Sequence, residues 1–320
     1  MGRAERDYGI FLGGAGYAPF RSRHEFHDSN SRMEGFSGPM AYHRYKIEGH
    51  MPLGESRKLR RSAWTQAQYK LLRIIAPKEP TTMDGSAFVA KGKLRTLLGD
   101  AFLEEIRGKT VLDFGCGEGA EAVEMASVGA ERVIGLDIQT TLLARGRARA
   151  KEVGVADRCI FVTATDEPSE IVTSIDAFEH FHEPEAALVA MYGLLKPRGR
   201  LVVSFGPTWY HPLGGHLFSV FPWAHLVFSE DALIAWRSDF KTDGATKFHE
   251  TAGGLNCMTI SRFERMVENG PFEIESLEAV PIRKLRWLHS KWTREWTTAI
   301  VRARLRKSAA TPDYFPPAQQ

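Results

Sequence analysis

Apolar residues along this chain follow two rhythms. Short apolar runs bounded by polar or glycine residues read as buried strands: Val111 to Phe114, Arg132 to Leu136, Cys159 to Val162, Glu170 to Asp176 and Leu201 to Phe205. Between them the spacing is helical. Ala122, Val123 and Ala126 recur within 120–128, Leu142, Leu143 and Ala144 within 140–153, and Ala187, Leu188, Met191, Leu194 and Leu195 within 184–195. Strand and helix alternate over this stretch, the pattern of a parallel sheet covered by helices. Upstream, Trp64, Ala67, Leu71, Leu72 and Ile75 predict a helix whose end is set by Pro77 and Pro80. Leu94, Leu97, Leu98, Phe102, Leu103 and Ile106 predict a second over 88–106, broken near Gly99. Downstream come helices at 230–236 and from Thr259, and two more strands within 272–282 and 296–305.

The first strand runs into Gly115-Cys116-Gly117-Glu118-Gly119, and the second ends in Asp137 about twenty residues later. A glycine turn at a helix N-terminus, followed by an acid placed for ribose hydroxyls, is the layout of a nucleotide-binding βαβ unit. Two ligands compete for it. Gly115, Gly117 and Ala120 satisfy a relaxed dinucleotide fingerprint, which suits NAD. Asp113, two residues before the first glycine, would repel a pyrophosphate and suits a ligand that carries an ammonium group.

VLDFGCGEG followed by VIGLDI resembles motifs one and two of the class I S-adenosylmethionine-dependent methyltransferases, and SIDAFEHF and LLKPRGRLVVSF resemble later segments of that family. The resemblance is specific over about 110–206 and looser to 306. It implies a Rossmann-like seven-stranded α/β sandwich of strand order 3-2-1-4-5-7-6, with strand seven antiparallel. It further implies S-adenosyl-L-methionine as cofactor. Gly115, Cys116, Gly117 and Gly119 would hold the methionine portion, with Asp113 ordering its ammonium. Asp137 would accept the ribose hydroxyls and Ile138 pack on adenine, while Thr165, Asp166 and Ser174 lie where the family meets the cofactor. Arg198 replaces a glycine of the family's turn, and Asp166 sits one position late. An NAD-dependent oxidoreductase leaves Asp113, the EHF segment and the KPRG turn unexplained. A cofactor-binding scaffold without catalysis is the other rival.

The chain has 320 residues, 43% of them hydrophobic and 25% charged, the balance of an ordinary globular protein. A net charge of +3 gives no reason to expect a nucleic-acid partner. Cys116, Cys159 and Cys257 form no C-x-x-C pair, so neither a zinc cluster nor a disulfide framework is expected. No secretory signal or membrane span is evident, and a cytoplasmic protein is expected. Residues 1–57 read as a flexible arm, 58–106 as a helical packing segment or lid, 107–307 as the main domain and 308–320 as a disordered tail.

Within the main domain, 207–258 is a long insertion after strand five, crowded with Trp209, Tyr210, His211, His216, Phe218, Phe221, Trp223 and His225. Such a cluster builds either a substrate pocket or a small core of its own. Read as a pocket, it suits a small-molecule, sugar or lipid-linked acceptor methylated at a hydroxyl, amine or carbon. His216, then His211, are candidate general bases, with His180 of the EHF segment a third. The spacing of the insertion's histidines, with no carboxylate pair nearby, does not describe a metal site.

Overall fold

The computed structural model describes residues 62–78, 92–251 and 253–308. The expected arm and the stretches 58–61 and 79–91 lie outside these, as does the expected tail apart from Ser308. Strand β1 (Thr110–Phe114) is central because it is apolar on both sides. Parallel to it on one side run β2 (Arg132–Leu136) and β3 (Cys159–Val162), and on the other β4 (Ser169–Ile175) and β5 (Leu195–Phe205). β7 (Thr298–Lys307) returns antiparallel between β5 and β6 (Phe272–Pro281), which gives the order 3-2-1-4-5-7-6 that the resemblance implied.

Successive strand residues point to opposite faces, and two cores follow from that alternation. Val111, Val133, Ile171 and Val202 face α2 (Lys93–Glu105), α3 (Ala120–Val128) and α4 (Thr140–Val153). Leu112, Ile134, Val172 and Val203 face α5 (Pro184–Gly193) and α8 (Ile260–Glu268). Asp113 shares the face of Val111, at the carboxyl end of β1. α2 breaks at Gly99, as expected, and its last turn is tied to the sheet through Glu105, which binds Arg200 of β5 and Arg304 of β7. α8 begins at Thr259, whose hydroxyl accepts from the Arg262 amide, and the Glu295 carboxylate accepts from the amides of Ile260 and Ser261. An acid at a helix N-terminus satisfies orphan donors and complements the helix dipole.

The insertion folds as a third core. Phe218, Phe228, Leu233, Trp236, Phe248 and Leu255 pack together with α6 (Ala224–Val227) and α7 (Glu230–Arg237), and Leu72 of α1 (Ala63–Ile75) closes it. Here the pattern misled on α1. The stripe Trp64, Leu71 and Ile75 is exposed, whereas Thr65, Gln68 and Leu72 are buried. The reason is polar: the Gln68 side-chain oxygen accepts from the Ser229 amide at 2.7 Å, at the start of α7, and turns that face of α1 inward. Among the described residues, no helix is long and apolar enough to cross a membrane.

Gly119 separates packing from ligand approach. Its φ is +70° and a Cβ there would lie 2.3 Å from the Phe161 ring. Gly117, at φ +51°, has nothing within 4 Å of the same position. Gly119→Ala is therefore expected to lower stability by about 1–3 kcal/mol from overpacking, beyond its backbone strain. Gly117→Ala should cost only the left-handed penalty, about 1–2 kcal/mol. Urea unfolding of both variants checks this, and equal midpoints would refute it.

Candidate functional site

The carboxyl ends of β1 and β4 meet where the strand order reverses, the usual ligand crevice of an open α/β sheet. Asp137, just after β2, holds the glycine turn in place. Its carboxylate accepts from the Gly117 amide at 2.9 Å and from the Gln139 amide at 2.8 Å. Gly119 packs on Phe161, and Gly115 lies against Ala177 and Phe181, so of the three glycines Gly117 alone leaves open space for a ligand. Cys116 contributes backbone here. Its amide donates to the Leu136 carbonyl, while its side chain is buried in the core behind the turn, and that burial pushes the thiol up.

Beneath the turn lies a concentration of acid. Asp113 is only 2% exposed; one carboxylate oxygen accepts from the Thr173 hydroxyl at 3.1 Å and the other has no partner. Burial, then the nearby charge of Glu121, pushes Asp113 up to about 7. Lys93, at the start of α2, places its ammonium between Glu121 at 2.6 Å and Asp176 at 2.8 Å. Burial pulls Lys93 down, but the charges of Asp176 and Glu121 outweigh it and raise the group. Burial also raises Asp176, against the pull of Lys93, and one of its oxygens is unpartnered. A protein ammonium thus already sits in this acid nest. No local pattern in the chain marks Lys93 or Glu121, since each lies in an ordinary amphipathic helix.

The remaining cofactor candidates are placed unequally. Ile138 is 64% exposed beside Asp137 and offers a free apolar surface. The Thr165 hydroxyl accepts from the Glu167 amide, and Asp166 is exposed on the loop after β3. Ser174 is fully buried within β4 with its hydroxyl unpartnered.

The three candidate bases separate. His180 and His216 come together, ring centroids 5.2 Å apart. His211 does not join them; its Nδ1 accepts from the Leu213 amide, and burial lowers it to about 4. Burial, then the charge of His180, lowers His216 to about 3. An imidazole so hard to protonate stays neutral near pH 7, with a lone pair on one ring nitrogen. His225, also lowered by burial, is fixed by its Nε2 contact to the Trp209 carbonyl at 2.7 Å. The residue overlooked in the sequence is Glu179. It is buried beside His180 and His216, with one oxygen accepting from the Gly206 amide at 3.2 Å and the other unpartnered. An acid next to a candidate His in the EHF segment was the available signal.

Comparison with known proteins assigns the central part of this crevice. Residues 112–203 match the family model described as a methyltransferase domain. The chain is 36% identical over 101 residues to the ribosomal protein L11 methyltransferase of Vibrio vulnificus, covering 31% of this chain and 34% of that protein. It is 32% identical over 102 residues to the protein of the same name from Photobacterium profundum, covering 32% and 35%. The chain thus spans about a third of the length of the curated relatives it matches. A structure described as a putative S-adenosylmethionine-dependent methyltransferase from Listeria monocytogenes superposes with a TM-score of 0.43 at 16% identity, over 65% of this chain and 97% of that one. Residues 112–203 thus match a methyltransferase domain, and they lie within a sheet of strand order 3-2-1-4-5-7-6.

The small-molecule, glycan or lipid-linked acceptor expected from the insertion is corrected on two grounds. The matched relatives are named for a protein acceptor. The insertion's Phe218, Phe228, Trp236 and Phe248 fill its own core, with Trp209 packed against it, rather than walling a pocket.

The state of Asp113 gives this site a pH signature. Its folded value, about 7, lies above the 3.8 of an unperturbed aspartate. Ionising it in the folded protein is therefore unfavourable, and the ligand-free protein loses stability as pH rises from about 4 to about 7. A cationic ligand beside Asp113 favours the ionised form. Binding below pH 7 should then release a proton, and apparent affinity for S-adenosylmethionine should rise with pH up to about 7. Calorimetry in buffers of different ionisation enthalpy measures the proton release, and Asp113→Asn should abolish it. Proton release unchanged in that variant would remove Asp113 from the ligand's surroundings.

Proposed function

We propose that this chain transfers the methyl group of S-adenosylmethionine to a protein acceptor. The observation that carries the reading is the buried, half-unpartnered carboxylate of Asp113 beneath a glycine turn that is open at Gly117. That pairing fits a ligand with an ammonium group and not a pyrophosphate, which Asp113, Glu121 and Asp176 together would repel. The protein nature of the acceptor is drawn from the matched relatives, named as methyltransferases of a ribosomal protein.

The donor, when bound, supplies a methyl group already activated by its sulfonium. This chain's work is then alignment and proton handling. Asp137 fixes the Gly117 amide and keeps lone pairs free for ribose hydroxyls, while Ile138 offers an adenine surface. Asp113 and Asp176 receive the ammonium, for which Lys93 must give way or shift. On the acceptor side, the segment from Ala177 to Phe181 packs on the glycine turn and carries His180 towards His216. A polypeptide approaching this edge meets Trp287 and Trp292, 76% and 82% exposed, beside Arg283, Lys284 and Arg286. Tyr210 of the insertion packs on Trp296 of the same connection at 4.9 Å, so this surface adjoins the insertion.

Incubation with labelled S-adenosylmethionine and a ribosomal-protein fraction should place label in polypeptide. Label confined to small metabolites would overturn the acceptor, and no cofactor binding at all would overturn the reaction. His216→Ala should keep cofactor affinity within about threefold, below roughly 1 kcal/mol, and lower transfer at least about tenfold. Normal turnover in that variant would take His216 off the acceptor side.

A further inference from the structure

We infer that Glu179, His180 and His216 form a binding site for one divalent transition-metal ion. Their ligand atoms lie within 4.8 Å of one another. Metal–nitrogen and metal–oxygen bonds of about 2.0–2.2 Å would bring such donors roughly 3.0–3.5 Å apart, so the site closes by small side-chain rotations.

The hydrogen bonding of each donor favours a metal over a plain polar cluster. His180 Nδ1 lies 2.7 Å from the Gly254 carbonyl, which can only accept, so Nδ1 carries the proton and Nε2 presents a lone pair. A backbone carbonyl that fixes the tautomer and ring of a histidine is the usual outer support of a metal ligand. His216 Nδ1 is buried with no partner, and His216 holds φ at +49°, which turns its ring towards His180. Glu179 is 3% exposed; the Gly206 amide pins one oxygen, and the other is unpartnered. A buried carboxylate oxygen and a buried imidazole nitrogen, both unsatisfied and facing one neighbourhood, are costly unless something fills the space between.

Two imidazoles and one carboxylate select zinc, iron(II) or cobalt(II) over magnesium or calcium, which prefer all-oxygen sets. Three protein ligands leave at least one coordination position open. The site joins the segment after β4 to the insertion, so metal would also tie the acceptor edge to the methyltransferase domain. The role beside the acceptor rests on the methyl-transfer reading; metal binding itself does not. Histidine spacing within the insertion concealed the site, because His211 and His225 are held by other groups and the remaining ligands come from the EHF segment.

The test is titration of the metal-stripped protein with cobalt(II), read by its visible ligand-field bands and confirmed by zinc competition. One equivalent should bind with the bands of a four- or five-coordinate site. His216→Ala and Glu179→Gln should each weaken cobalt binding at least about tenfold, since losing a ligand costs no less than losing an outer partner. His211→Ala and His225→Ala should leave it unchanged. Thermal unfolding and S-adenosylmethionine calorimetry on each variant show whether it is folded. Should Glu179→Gln unfold because its buried side-chain NH2 finds no acceptor, His216→Ala alone decides. Absence of stoichiometric binding, or binding that folded His216→Ala leaves intact, overturns the site. Metal binding without any methyl transfer would sustain the site and refute the proposed reaction, so the two failures are distinct.

Discussion

Buried negative charge at the ends of β1 and β4 is the constraint on which the rest of this structure turns. Asp113 is buried and Glu121 and Asp176 are half-buried beside it, and carboxylates so crowded are expensive unless compensated. Two devices relieve it: Asp113 holds a proton more readily than usual, and Lys93 lends its ammonium to Glu121 and Asp176. The second device fixes where α2 docks. Its first residue reaches into the crevice, while Glu105 at the other end is held by Arg200 and Arg304. Truncating the lysine would leave uncompensated buried charge, the costly half of any buried ion pair. The same charge would suit an ammonium-bearing ligand. It would replace Lys93 as counter-charge or share the acids with it.

Asp137 shows how one residue joins fold to function. Its two backbone acceptances shape the glycine turn before any ligand arrives. A change there disturbs the turn as well as the proposed ribose contact, so weakened binding in an Asp137 variant would report both effects. Gly117 is the cleaner probe, because its surroundings are empty.

Most of the fold was legible because period and punctuation agree. The β–α alternation set the core strands to within a residue or two at most ends, the glycine turn placed the end of β1, and Gly99 broke α2 where expected. β5 runs longer than its apolar segment, starting at Leu195, because Leu195 pairs with Ser169 and pairing resumes at Arg200 with Ile171, the turn at Arg198 and Gly199 bulging out between them. The outward face of α1 was misread because a buried glutamine that caps another helix is invisible to hydrophobic spacing. The site was legible only where chemistry lies along the chain. Asp113, Gly117 and Asp137 announce themselves within one βαβ unit. Lys93 and Glu121 meet through contacts between distant elements, which no local pattern encodes, and Glu179 was signalled only by its place beside His180 in the EHF segment. His211 and His216 looked equivalent in sequence; a hydrogen bond to the Leu213 amide separates them.

The boundary of the family match carries its own physical meaning. It ends at Val203 within β5, just before the insertion that follows this strand. The glycine turn and Asp137, the proposed cofactor contacts, lie inside that boundary. Glu179 and His180 also lie inside it, yet their partners Gly206, His216, Gly254 and Asn256 lie beyond. The insertion brings its own core, so it can hold His216 in an unfavourable backbone conformation without drawing on the stability of the main sheet. Chemistry at the acceptor edge is therefore assembled across a seam. One side lies inside the residues that the family model matches; the other lies outside them. Differences in acceptor between such proteins should concentrate on the far side of that seam, where a change of residues leaves Asp113, Gly117 and Asp137 untouched.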